Sequence, residues 1–411
     1  MSYKLTPVAL IAMALYASGA CAEETGAPMF SFSGFGTLGV VHSSEDKADF
    51  TSSVFKPNGA GYSRSWSADV DSLIGAQVTA NLTPQFSAVL QVISEQNYDN
   101  SYQPHVEWAN IKYQFTPDFS IRAGRIVQSA FLVSDYRKVG YANTWVRPPV
   151  EVYNLIPISN SDGVDASYRV RVGEFTSTLL GTYGKTEPNY PYDVGAIKAK
   201  DFWNLSYTGE YGAATMHITY QKANLTIEAY KPFFDRLRLF GAEGAALADK
   251  YDLKNKPYTF IGLGGMYDPG GWFVMGEWGA TDSHSVLGKR SAWYASGGYR
   301  LGKFTPYLTY AQAKVDSNTS DPGLTLSVLP LPYRPSAAAI NTALNAALGA
   351  APVQNTISAG GRWDFAKNTA FKLQFDHTRL GPGSVGMLNI QPGFQTGGRF
   401  NVFSATIDFV F

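Results

Sequence analysis

Charged side chains of both signs crowd into one stretch of this 411-residue chain. Between positions 127 and 162 stand Asp135, Arg137, Lys138, Arg147 and Glu151. The chemistry open to such a set is electrostatic. Opposing charges in a narrow hydrated passage orient and filter solutes by sign, with no bond made or broken. The same stretch carries Phe131, Leu132, Val133, Trp145, Val150, Val152, Tyr153 and Leu155, and Pro148-Pro149 stiffens its backbone. Apolar content of that kind favours burial, unlike a solvated surface loop. A loop packed externally on its neighbours is the plainer alternative. Tyr136, Tyr141 and Trp145 offer a surface for weak solute binding, although packing accounts for them equally well.

Other chemistries fail on context. The histidines (His42, His105, His217, His284 and His377) are scattered, with no H-x-x-x-H pair for zinc. Asp376 and His377 are sequence neighbours on one strand and point to opposite faces, a poor dyad for a hydrolase. Gly34-Phe35-Gly36-Thr37-Leu38-Gly39 matches a dinucleotide fingerprint, but it lies inside an alternating strand and no helix follows. Asn160-Ser161-Asp162-Gly163-Val164-Asp165 has the flavour of a calcium loop, yet Arg171 stands where the twelfth-position carboxylate belongs. A turn leading into the next strand is expected there instead. Cofactors and metals are therefore not expected.

The N-terminus reads as a secretory leader over 1–22: Lys4, an apolar core from Val8 to Leu15, and Ala20-Cys21-Ala22 before Glu23. That core is too short to span a bilayer, which takes about 20 residues. A lipidated Cys21 is the rival, weakened by Ser18 where such motifs prefer leucine. Cleavage would remove the only cysteine and Lys4, leaving 32 basic against 33 acidic side chains. A balance so near zero points to no nucleic-acid partner.

The elements that must position the charges are strands. Ile74, Ala76, Val78, Ala80 and Leu82 alternate with Gly75, Gln77, Thr79 and Asn81. Ala109, Ile111, Tyr113 and Phe115 alternate with Asn110, Lys112 and Gln114, and Phe119, Ile121 and Ala123 with Ser120 and Arg122. Each such segment has one greasy and one polar wall, but periodicity alone leaves open which wall meets lipid. Short joints are expected near 83–84, 116–118, 171–173, 208–212, 268–271, 302–303 and 366–369. Between them lie long polar segments, about 42–67, 96–103, 127–162, 183–200, 223–257, 282–291, 315–353 and 380–397. Strict alternation of short and long connections predicts an all-β, transmembrane antiparallel β-barrel of about 16 strands over 23–411. Helices are expected near 336–350 and 234–250.

Strand parity places Lys112, Arg122, Arg169, Arg362 and Lys372 on polar faces, with Asp165, Asp364 and Asp376. On a lipid face each Arg or Lys would cost about 2–4 kcal/mol near the midplane, so the polar faces should line the lumen. Bases outnumber acids in that set, a mild lean towards anions.

Phe32-Ser33-Gly34-Phe35-Gly36, Gly124-Arg125, Gly361-Arg362-Trp363-Asp364-Phe365, Lys372-Leu373-Gln374-Phe375-Asp376-His377 and the terminal Phe411, in that order and spacing, resemble the Gram-negative general porin family. The resemblance covers nearly all of the chain after the leader. It implies an outer-membrane location and a third loop, 127–162, folded into the lumen opposite wall arginines, with Arg125 among the wall residues. It also implies passive diffusion of small hydrophilic solutes and ions without enzymatic chemistry, a homotrimer, contact with outer-membrane lipid, and recognition of Phe411 by the assembly machinery. A substrate-specific channel is the nearest alternative, and a barrel enzyme a more distant one.

Overall fold

The computed structural model describes residues 29–191 and 194–411. The leader expected over 1–22 lies outside the described residues. Sixteen long strands build the wall: β1 (Phe30–Ser43), β2 (Leu73–Asn81), β3 (Phe86–Glu95), β4 (His105–Gln114), β5 (Phe119–Val127), β6 (Asn160–Val172), β7 (Phe175–Thr186), β8 (Ile197–Tyr211), β9 (Ala214–Ile227), β10 (Lys256–Tyr267), β11 (Trp272–Ser283), β12 (Lys289–Tyr299), β13 (Phe304–Val315), β14 (Gln354–Ala366), β15 (Thr369–Leu380) and β16 (Arg399–Val410). Each pairs antiparallel with its sequence neighbours. The last strand pairs with the first, from Phe35 opposite Val410 to Ser43 opposite Val402, which closes the barrel. Closure leaves no free edge.

Burial resolves the question that periodicity left open. On β16 the polar residues Ser404 and Asp408 are 0% exposed, while Phe403 is 38% and Ile407 40% exposed. The polar face therefore points inward and the apolar face outward, the reverse of a soluble sandwich. At the turn end an outward belt of aromatics, including Tyr113, Phe115, Tyr267, Trp272, Trp363 and Phe411, circles the wall. Several touch, as do Tyr113 and Phe115 with ring centroids 4.6 Å apart. Such belts mark the level where hydrocarbon gives way to headgroups. No helix among the described residues is long and apolar enough to cross a membrane.

The turns are tight, and Asn368 adopts the left-handed φ of 58° that a two-residue hairpin needs. The other end carries the long loops, and several of them pack on one another. Short strands Ala48–Phe50 and Ala60–Gly61 of the first loop pair together, and the former pairs with Leu388–Ile390 of the last. Among the described residues the loops also hold four α-helices: α1 (Val150–Tyr153), α2 (Lys231–Arg238), α3 (Gly241–Tyr251) and α4 (Arg334–Gly349).

Three local expectations are corrected. Asn160 to Asp165 is not a turn but the start of β6, because its residues pair on both sides, with β5 and with β7. The loops expected at 183–200, 223–257 and 282–291 are shorter, since β7 to β12 run on past the polar stretches that suggested loop. Inside a hydrated barrel a polar residue is compatible with strand. The single helix expected near 234–250 is two, which meet at Gly241, where a left-handed φ of 71° turns the chain between them.

Candidate functional site: the constriction loop

Residues 128–159 leave the top of β5 and return to β6 through the lumen. The Gln128 N–H donates to the Ser159 carbonyl at 2.9 Å, tying the two legs at their base. One side of the loop is apolar and packs on the wall: Phe131, Trp145, Val152 and Tyr153 form one buried cluster with Phe260, Phe273, Tyr294 and Tyr307. Glu277 on β11 joins both legs to that wall. It accepts from the Leu132 N–H at 2.8 Å, the Tyr153 hydroxyl at 2.6 Å and the Tyr294 hydroxyl at 2.9 Å.

The tip is held by charges from β14 to β16. Lys372 donates to the carbonyls of Gly140 and Trp145, each at 2.7 Å, and pairs with Asp408 at 3.0 Å. Arg362 donates to the carbonyls of Tyr141 at 2.6 Å and Asn143 at 3.1 Å while pairing with Asp364 at 2.8 Å. Only glycine fits at 140, where a Cβ would come within 2.1 Å of the Asp408 carboxylate. Further along, Arg147 forks onto Asp71 at 2.8 and 2.5 Å and reaches Asp376 at 3.4 Å and Ser404 at 2.7 Å. Glu151 accepts from Gln354 at 2.7 Å and from the Thr356 hydroxyl, and its burial pushes the carboxyl above the usual range.

Lys138 crosses to the opposite wall and pairs with Glu95 at 2.5 Å and Glu107 at 3.3 Å. Burial would lower its pKa, but Glu107 and Glu95 outweigh that and hold it above the usual lysine value. Arg137 makes no ion pair among the described residues. It donates to the carbonyls of Ile156 at 3.3 Å and Ile158 at 3.2 Å, and burial lowers its pKa. Asp135 is exposed and feels the nearby charge of Arg122. The enclosing protein still raises its carboxyl, partly offset by Arg122 and reinforced by Asp165.

Arg122 grips Asp165 with contacts of 3.0 and 2.6 Å. Lys112 is its register partner, and neither Lys112 nor Arg169 forms an ion pair among the described residues. The register of β5 with both neighbours runs unbroken through Gly124, whose φ is 126°. Arg125 then pairs with Asp162 at 2.7 Å at the mouth end of the wall. On that side of the loop a cavity of about 470 Å³ opens, bordered by Lys56, Tyr98, His105, Glu107, Arg137 and Tyr153 among others.

The expected site residues thus divide in two. Arg147, Glu151 and Lys372 are buried, so they act as struts under the loop and do not face solute. Parity correctly sends Lys372 inward, but it cannot say that a loop backbone waits there. The others are not buried: Asp135 and Arg169 are exposed, and Lys112, Arg122, Arg125, Arg137, Lys138 and Arg362 are half-buried. Glu277, Asp71, Glu95, Glu107 and Asp408 escaped the sequence reading. The one available signal was an isolated acid on a polar strand face, which many wall positions share.

No protein-family profile and no curated protein sequence matches the chain. Solved structures do. Salmonella typhi OmpF in complex with daunomycin aligns with a TM-score of 0.54 at 12% identity, covering 92% of this chain and 97% of that one. An anion-selective porin from Comamonas acidovorans aligns with a TM-score of 0.52 at 12% identity over 93% and 99% of the two chains. In-vitro folded OmpT of Vibrio cholerae, in its trimer form, aligns with a TM-score of 0.51 at 12% identity over 93% and 100%. The chain has the sixteen-stranded fold of the Gram-negative porins.

Proposed function

We propose that this protein is an outer-membrane channel through which small hydrophilic solutes and ions diffuse passively, without enzymatic chemistry. The observation that carries the reading is the inverted burial of the wall, polar inside and apolar outside, around a lumen narrowed by a clamped loop. Polar inner walls hold water, and the clamped loop sets how wide the water column is. Lys112 and Arg169 form no ion pair among the described residues, and Asp135 is an exposed acid of the loop near Arg122. The balance favours anions mildly, in keeping with the anion-selective porin that shares the fold. Arg125, Arg137 and Lys138 border the passage on the mouth side.

The companion proposals follow the same reading. Residues 1–22 are removed on export, 23–411 form the barrel, Phe411 marks the chain for outer-membrane assembly, and the barrels associate as homotrimers. Planar-bilayer recording tests the channel. The expected result is an ohmic current with a reversal potential on the anion side under a salt gradient. Purified barrels that give no current would overturn it. A substrate-specific channel is the second reading, favoured by the small volume of the mouth cavity. Saturation or block of the current by one solute class would select it.

A further inference from the structure

The inner wall changes character towards the mouth. Along β9 the lumen-facing positions run His217, Thr219 and Gln221, all buried and polar, and then Ala223, Leu225 and Ile227, all buried and apolar. On β8 Ser206 and Asn204 give way to Phe202 and Ala199 in the same direction. An inward apolar band at the open end of a hydrated barrel is stable only if something dry sits on it.

The helices of the fifth and seventh loops cover it. Phe234 and Leu237 of α2, Ala248 of α3, and Ala337, Leu344 and Leu348 of α4 join the β8 and β9 band in one buried cluster with Leu253, Val286 and Leu324. On α4 the buried positions recur at seven and four residues, one face of a helix. Polar ties hold the two loops together. Asp321 takes Lys250 at 2.8 Å and the Tyr251 hydroxyl at 2.7 Å, and Glu243 accepts from the N–H and hydroxyl of Thr325 at 3.0 and 2.7 Å. The cavity that opens through the mouth lies elsewhere. The first four loops and β1 to β7 border it, and α2, α3 and α4 contribute nothing to its lining.

We propose that the fifth and seventh loops form a fixed hydrophobic plug that closes the β8–β10 side of the mouth. Solutes then enter through the opposite vestibule, whose width limits solute size in series with the constriction loop. This rests on the channel reading above. The plug consists of side chains already packed on the wall, so it needs no ligand or partner to stay in place.

Single-cysteine variants test it in a Cys21→Ala background, where no other thiol remains. Ser53→Cys lies in the vestibule and Leu344→Cys in the plug core. A bulky charged methanethiosulfonate added at the mouth side should react with Ser53→Cys and cut the current by about half or more. Leu344→Cys should stay unmodified. Excising 334–349 and bridging the gap with a Gly-Ser linker should raise conductance by about 1.5-fold or more and admit neutral polymers that the parent excludes. Modification of Leu344→Cys as fast as Ser53→Cys would overturn the plug, as would a labelled vestibule that leaves the current unchanged. If the excised variant does not fold, the two thiol rates decide. If the parent gives no current, the channel reading fails, and gel-read thiol rates still judge the plug.

Discussion

The constriction loop and the mouth plug both fill space inside the same barrel and both pack apolar side chains on its wall, but they differ in what is added to that packing. The loop is fastened as well by directional polar contacts: Glu277 on both legs, Arg147 on Asp71 and Asp376, Lys372 and Arg362 under the tip, and Lys138 on Glu95 and Glu107. The plug meets the wall mainly through aliphatic and aromatic side chains. Its ion pairs Arg238–Asp252 and Lys250–Asp321 run among the loops, and among the described residues the wall is reached only at strand ends, by Lys198–Glu228 and Lys256–Asp252. Charge-assisted hydrogen bonds fix an atom to a few tenths of an ångström, whereas apolar burial is non-directional and fixes only volume. A filter that reads sign needs the first kind of fastening. A stopper that merely excludes water and solute needs the second.

The sharpest way to break this contrast is Arg147→Met. It leaves Asp71 and Asp376 buried without their cation, which should cost about 3–5 kcal/mol. The folded barrel should unfold at a markedly lower temperature on heat-modified gels, with noisy, multi-level currents. An unchanged midpoint would mean that the loop does not depend on its struts. Next comes Leu344→Ala in the plug core, at about 2–5 kcal/mol of local stability. Amide exchange in α4 should quicken while ion selectivity holds, and a shift in selectivity would show that plug and loop are not separate devices.

Glu277→Leu strands the Leu132 N–H and two tyrosine hydroxyls, at about 1–3 kcal/mol for each unsatisfied group. Glu277→Gln keeps an acceptor and should recover most of the parent's steady current. If both variants behave like the parent, Glu277 does not clamp the loop. Lys112→Glu should leave stability nearly untouched and move the reversal potential towards cations. The smallest effect is in pH. The Asp135 carboxyl lies above the ordinary aspartate value of about 3.9. As pH falls through its pKa the carboxylate is neutralised, so anion preference should grow on acidification and be absent from Asp135→Asn.

How much of this was legible in the chain itself follows the range of the forces. Side-chain alternation and connection length are local, so strand number, the loop end and the inward parity of Arg122 and Lys372 could be read residue by residue. A helix at 336–350 was legible for the same reason, since alanine-rich composition acts within a few turns. The clamp on the constriction loop was not legible, because Glu277 lies 145 positions from Leu132 and nothing near either residue marks the other. The end points of β7 to β12 were also missed. A polar residue inside a hydrated barrel suits strand and loop equally, and only pairing with the neighbouring strand separates them.

The charges that opened the sequence reading show the division most clearly. Their presence in 127–162, beside apolar residues that demand burial, was fixed by the chain and marked a loop that folds inward. Which of them face water was decided in three dimensions. Arg147 and Glu151 became struts because acids, an amide and hydroxyls from distant parts of the chain converge on them, while Asp135, with no hydrogen bond or ion pair among the described residues, stays exposed. Sequence determines which charges are available, because composition is local. Tertiary structure decides which stay free, because pairing depends on distances that only a closed barrel sets.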